Sequence, residues 1–189
     1  MRRLYFALIL ALLSVGSIMA QGLFDFIPET GPVGRATRMY NVSVGVPGGF
    51  AFEKNPSPDL SIKQGFGINL GYTTVFASLG QVSLASESEV SYRTNKESYL
   101  GNSEVSRATV QGQTGLGLYY NLGPKVAIYA KGFVGIHTNF SDTSYGGSLG
   151  SIFRVEGRGG LLYALSPNFS IFGEAGYGQD IARIGISIR

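Results

Sequence analysis

From Thr37 to the end of the chain, apolar and polar side chains alternate with a period of two, the mark of strands with one greasy and one polar face. The stretch from Gly157 to Arg189 shows it most clearly. Gly159, Leu161 and Tyr163 share a face, then Phe169, Ile171, Ala175 and Tyr177, then Ala182, Ile184, Ile186 and Ile188. Arg158, Ser170, Glu174, Arg183 and Ser187 take the opposite parity. Ser166-Pro167-Asn168 and Gly178-Gln179-Asp180 are turn sequences between these strands.

The same pattern runs through the preceding residues. Tyr40, Val42, Val44 and Val46 oppose Asn41, Ser43 and Gly45; Phe66, Ile68, Leu70, Tyr72 and Phe76 oppose Gly65, Gly67, Asn69 and Gly71. Val82, Leu84, Val90 and Tyr92 oppose Ser83, Glu87, Glu89 and Arg93. Ala108, Val110, Leu116, Leu118 and Tyr120 oppose Arg107, Thr109, Gln111 and Gln113. Val126, Ile128, Ala130, Val134 and Ile136 oppose Tyr129, Lys131 and His137, and Phe153 and Val155 oppose Arg154 and Glu156. The count is eight strands. Short connections near Leu79, Gly123 and Pro167 alternate with longer loops at 51–64, 94–104 and 139–150, and the hairpin at Gln179 is the short exception on the long side. An even strand number puts both termini at the end with the short turns.

These strands resemble the closing strands of the small outer-membrane barrels, the OmpA/OmpX/OmpW-like proteins of Gram-negative and related bacteria. The resemblance spans the chain after its leader and rests on pattern, not on a motif. It implies an all-β fold, an eight-stranded antiparallel up-and-down transmembrane β-barrel over residues 37–189. It also implies a place in the bacterial outer membrane, contact with outer-membrane lipid, insertion by the barrel-assembly machinery, and short turns facing the periplasm. Members usually close on an aromatic residue; here Ile184, Ile186 and Ile188 keep the alternation and Arg189 stands where the aromatic would be.

The first twenty residues read as a secretory signal peptide, with Arg2 and Arg3, an apolar run Leu4 to Val15, and Ser17-Ile18-Met19-Ala20 before Gln21. A retained anchor is the alternative. Residues 21–36, with Pro28, Gly31, Pro32 and Gly34 around Leu23, Phe24, Phe26 and Ile27, read as a periplasmic leader packed near the barrel mouth, or as a plug in the lumen. Without Arg2 and Arg3 the chain carries 13 basic and 12 acidic residues, so the case for nucleic-acid binding disappears. With 0 cysteines there is no disulfide framework and no lipoprotein anchor. No later apolar run is long enough for a transmembrane helix, and 28 Gly, 11 Tyr and 12 Phe suit sheet.

Alternation alone allows either a membrane barrel or a soluble, lipocalin-like one. Aromatic placement favours the membrane. On the apolar face Tyr40, Phe76, Tyr120, Tyr163 and Phe169 fall at the turn ends of their strands, and Phe66, Tyr92, Phe153 and Tyr177 fall towards the loops. Aliphatic residues lie between. Two aromatic girdles around an aliphatic band match the two interfaces of a bilayer.

The polar face then lines the lumen. Glu87, Glu89, Arg107, Lys131, Arg154, Glu156, Arg158, Glu174 and Arg183 are expected there as an ion-pair network, Glu174 near Arg158 and Arg183, and Glu89 near Arg107. Such a network either plugs the lumen or lines an ion path. His137, the single histidine, is expected as a surface residue at a loop base. Lipid A deacylases of this barrel class resemble a His-x-Ser pattern, but here the sequence is His137-Thr138-Asn139, with no nucleophile in place. The glycines of Gly65-x-Gly67-x-x-x-Gly71 and Gly146-Gly147-x-x-Gly150 lack the strand-then-helix context of a phosphate loop, and Asn41-Val42-Ser43 is a sequon inside a strand. No cofactor, metal or catalytic site is expected. The leading function is an envelope scaffold whose loops meet a host or surface ligand; a narrow conduit for small solutes and a lipid-modifying enzyme centred on His137 are the alternatives.

Overall fold

The computed structural model describes residues 31–47, 60–99, 103–141 and 151–189. The expected signal peptide, most of the leader and the centres of the longer loops lie outside these residues. Eight strands follow in order: β1 (Arg38–Pro47), β2 (Leu60–Leu79), β3 (Val82–Tyr99), β4 (Ser103–Asn121), β5 (Val126–Ser141), β6 (Ser151–Ser166), β7 (Phe169–Tyr177) and β8 (Asp180–Ile188). Each pairs antiparallel with the next, and β8 returns to β1 through Tyr40↔Ile188, Val42↔Ile186 and Val44↔Ile184, so the sheet closes into an eight-stranded barrel. Closure removes the unpaired edges an open sheet would expose.

The two faces of the sheet are sorted by chemistry, with the apolar one outside. Val44, Ile68, Ile128 and Ile186 are exposed on the outer surface, while Glu87, Arg93, Glu156, Arg158, Glu174 and Arg183 are buried inside. A soluble barrel inverts this order.

The walls differ in height. β1, β7 and β8 have 9–10 residues, whereas β2, β3 and β4 have 18–20. Most of the expected loop at 94–104 is therefore strand: Asn95 pairs with Arg107 and Tyr99 with Ser103. Likewise β2 starts at Leu60, inside the expected 51–64 loop, and β5 runs to Ser141, inside the expected 139–150 loop. The physical reason is that hydrophobic alternation reports two chemically different faces, not backbone pairing. In these segments polar residues occupy both parities while the ladder continues.

The continued pairing up to Tyr99 and Ser103 displaces the expected register. Glu89 lies opposite Gln113 and not near Arg107, which pairs six positions nearer the loops with Asn95. The side chain of Arg107 is outside the described residues.

Candidate functional site

The interior is built in two layers. At the short-turn end an apolar floor gathers Val33, Met39, Val75, Ala85, Tyr119, Ala127, Tyr129, Leu162 and Phe172. Its centre comes from the leader, not from a strand. Val33 is fully buried; its N–H donates to Asn121 Oδ1 (3.2 Å), and its carbonyl accepts from Asn121 Nδ2 (2.7 Å) and Ser83 Oγ (2.9 Å). Gly31, at φ 131°, lets the chain cross close to Asn121, whose side chain a Cβ there would strike. The end of the leader thus closes the mouth of the barrel. Strict alternation does not disclose this floor, but the sequence carries a signal for it: at the short-turn ends apolar residues run consecutively, as in Leu118-Tyr119-Tyr120, Leu161-Leu162-Tyr163 and Ile171-Phe172.

Above the floor lies an ionic layer. Glu87 accepts from Tyr119 Oη (2.6 Å) and Thr73 Oγ1 (2.6 Å), with Lys131 Nζ 3.5 Å away. Lys131 reaches Glu174 at 3.1 Å and stands 4.6 Å from the centre of the Tyr129 ring, whose hydroxyl also donates to Glu174 (3.0 Å). This lysine joins the layers, its ammonium set both against carboxylates and over the Tyr129 ring.

Arg158 is the hub. Its guanidinium grips Glu89 through two bonds (2.9 and 3.2 Å), reaches Glu156 and lies 3.7 Å from Glu174, with its Cζ 4.5 Å from the Phe133 ring centre. Arg183 joins Glu89 (2.6 Å) to Asp180 (2.7 Å), and Arg93 also binds Asp180. Neutral donors complete the shell: Gln113 Nε2 to Glu89 (2.8 Å), Gln111 Nε2 to Glu156 (2.9 Å), and the Gln179 N–H to Glu156 (2.9 Å). A cavity bordered by Asn41, Ser43, Asn69, Glu87, Glu89 and Glu174 remains, with room for about one water molecule.

Of the residues expected in the lumen, Glu87, Glu89, Lys131, Glu156, Arg158, Glu174 and Arg183 therefore meet in one cluster. Arg154 shares their face of β6 but lies nearer the loops, half-buried opposite Gly135, outside the cluster. Two members were absent from the expected set. Arg93 has the right parity and was legible. Asp180 was not, because strict alternation would put it outside with Ala182 and Ile184. A bulge between Val46 and Pro47 in the β1–β8 pairing switches it inward. Gly178, at φ 153°, folds this last connection into the lumen, and a Cβ there would run into the Glu156 carboxylate.

His137 differs from expectation. It is 7% exposed on the inner face of β5, opposite Gln111 and Ile152, because the strand continues beyond it. Among the described residues no group of three His, Cys, Asp or Glu side chains could hold a metal ion.

The outer face carries the aromatics in two tiers. Tyr40, Tyr120 and Tyr163 are exposed near the short turns, Phe169 is half-buried there, and Phe76 sits half-buried in a bulge between Val75 and Ala77. Tyr72 joins this tier, its ring 5.2 Å from that of Tyr40. Phe66, Tyr92, Phe153 and Tyr177 are exposed towards the loops.

No protein-family model matches the chain, and no curated protein matches it either. Solved structures with a related chain path include a barrel from the de novo design of transmembrane β-barrels, at 19% identity and TM-score 0.46 over 82% of this chain and 97% of that one. A second designed barrel, solved by solution NMR, matches at 18% identity and TM-score 0.41 over 82% and 95%. Ail, the attachment invasion locus protein of Yersinia pestis, determined in complex with the heparin analogue sucrose octasulfate, matches at 18% identity and TM-score 0.42 over 80% and 90%.

Proposed function

We propose that this protein is an integral barrel of the bacterial outer membrane whose role is structural: a rigid scaffold that carries its loops and tall wall outside the cell for surface interaction. One observation carries the reading. Charged residues fill the inside, while large apolar side chains such as Phe66, Phe153 and Ile184 are 68–73% exposed outside. In water that surface would be an aggregation hazard; in a bilayer it is the lipid contact. The dimensions agree. β7 and β8, with 9 residues each, match the 9–11 that a tilted strand needs to cross the hydrocarbon, and the tall β2–β4 wall then rises beyond it on the loop side.

Unboiled protein in detergent is expected to migrate on a gel apart from the boiled sample and to give a sheet-type circular dichroism spectrum. A single band with an unfolded spectrum in detergent, beside a folded one in plain buffer, would favour the soluble carrier.

Neither alternative gains support from the interior. The conduit would need a continuous wet path, yet the ionic layer is tied pair to pair and the floor below it is apolar and closed by Val33. Purified, folded protein in planar bilayers is expected to give no unitary current; discrete conductance steps would restore the conduit. Lipid modification would need His137 at the lipid-facing rim, and it faces the lumen.

A further inference from the structure

The charges of the barrel are sorted by height. Among the described side chains the carboxylates are Glu87, Glu89, Glu156, Glu174 and Asp180, all in the lumen and held by its cations. At the short-turn end stand Arg35, which is half-buried with a contact of its own, and Arg38, Lys125 and Arg189, and among the described residues no Asp or Glu accompanies them. Arg38 and Lys125 are exposed. Arg189 lies half-buried across the β6–β7 turn, donating to the Pro167 carbonyl (2.9 Å) and to Ser170 Oγ (3.4 Å).

Each of Arg38, Lys125 and Arg189 stands one or two residues beyond the outward aromatic tier. Arg38 precedes Tyr40 by two positions, Lys125 precedes Val126, the partner of Tyr163, and Arg189 follows Ile188, the partner of both Tyr40 and Phe169. β1 and β5 occupy opposite sides of an eight-strand ring, so the positive charges surround the mouth.

Resting on the membrane reading above, we propose that this mouth is a binding surface for the phosphates of anionic phospholipids in the leaflet it faces. Aromatic rings settle at the boundary between hydrocarbon and headgroups, so side chains one step further out reach phosphate depth. Lysine and arginine stems extend along the apolar wall and deliver their charge there. The occupant follows from the charge pattern. Cations with no Asp or Glu beside them among the described residues favour a lipid of net negative charge over a zwitterionic one.

The test uses the full mature chain folded into vesicles of phosphatidylcholine with phosphatidylglycerol, reading the association of spin-labelled forms of each lipid by electron spin resonance. The native barrel is expected to hold labelled phosphatidylglycerol about two- to fivefold more strongly than phosphatidylcholine, less so as salt rises. The triple variant Arg38→Gln, Lys125→Gln, Arg189→Gln is expected to bring the ratio to near one, while Lys96→Gln on the tall wall leaves it unchanged. Equal association of both lipids with the native barrel would overturn the proposal, as would a preference that survives the triple variant or vanishes with Lys96→Gln. Retention on peptidoglycan sacculi that the triple variant loses, without a lipid preference, would also overturn it. A complete lack of motionally restricted lipid, with either label, would instead defeat the membrane reading on which it rests.

Discussion

Replacing Arg158 by Met is expected to destabilise the folded barrel by about 3–5 kcal/mol, the cost of leaving buried carboxylates without their cation. The side chain is 5% exposed and serves Glu89 by two bonds, with Glu156 and Glu174 in reach. Glu89 keeps Arg183 and Gln113, so the largest losses fall on Glu156 and on the balance of the whole layer. Methionine preserves much of the contact with Phe133, which separates charge from packing. Equilibrium unfolding in denaturant, with the protein in detergent or vesicles, measures the loss. Combining Arg158→Met with Glu89→Gln removes one charge of each sign and is expected to recover part of it. A single variant within about 0.5 kcal/mol of the native chain would show the layer to be water-filled and screened, not a packed plug.

That sensitivity explains which parts of the molecule could be read from the amino acids alone. The side-chain period in a strand is two, so a charge at Glu87, Arg158 or Arg183 and an isoleucine at Ile184 or Ile186 declare opposite faces without any knowledge of the fold. The number of strands and the alternation of turns come from the same signal. Register does not. It depends on where each pair of strands ends, and among the polar residues between Arg93 and Arg107 nothing distinguishes a long loop from strands continued to Tyr99 and Ser103. Glu89 therefore stands opposite Gln113 where the alternation alone suggests Arg107, although parity fixes its face.

Departures from the period were harder still. Asp180 reaches the lumen through a bulge that a parity rule does not contain, and Val33 arrives from a short segment between Pro32 and Gly34 too brief to show any pattern. Its place depends on Asn121, 88 residues away in sequence, whose amide satisfies both the N–H and the carbonyl of Val33. Such long-range hydrogen bonding leaves no local trace.

Ile184→Arg gives the sharpest separation between a barrel in lipid and one in water. Ile184 is 73% exposed at the middle of β8, opposite Val44 of β1 and Gly173 of β7, so an arginine there can extend without meeting protein. On a soluble protein such an exposed replacement changes stability by about 0.5 kcal/mol or less. At the midplane of a bilayer the same change costs about 2–4 kcal/mol, because the guanidinium must enter hydrocarbon or drag water and headgroups to it. Depth provides the internal control. Thr94 of β3 is also exposed but stands on the tall wall, two residues beyond Tyr92, where arginine is expected to cost about 0–1 kcal/mol. Reversible unfolding from vesicles, comparing Ile184→Arg with Thr94→Arg, tests the difference directly. If both variants match the native chain, the aliphatic band does not face lipid, whatever the chemistry of the lumen.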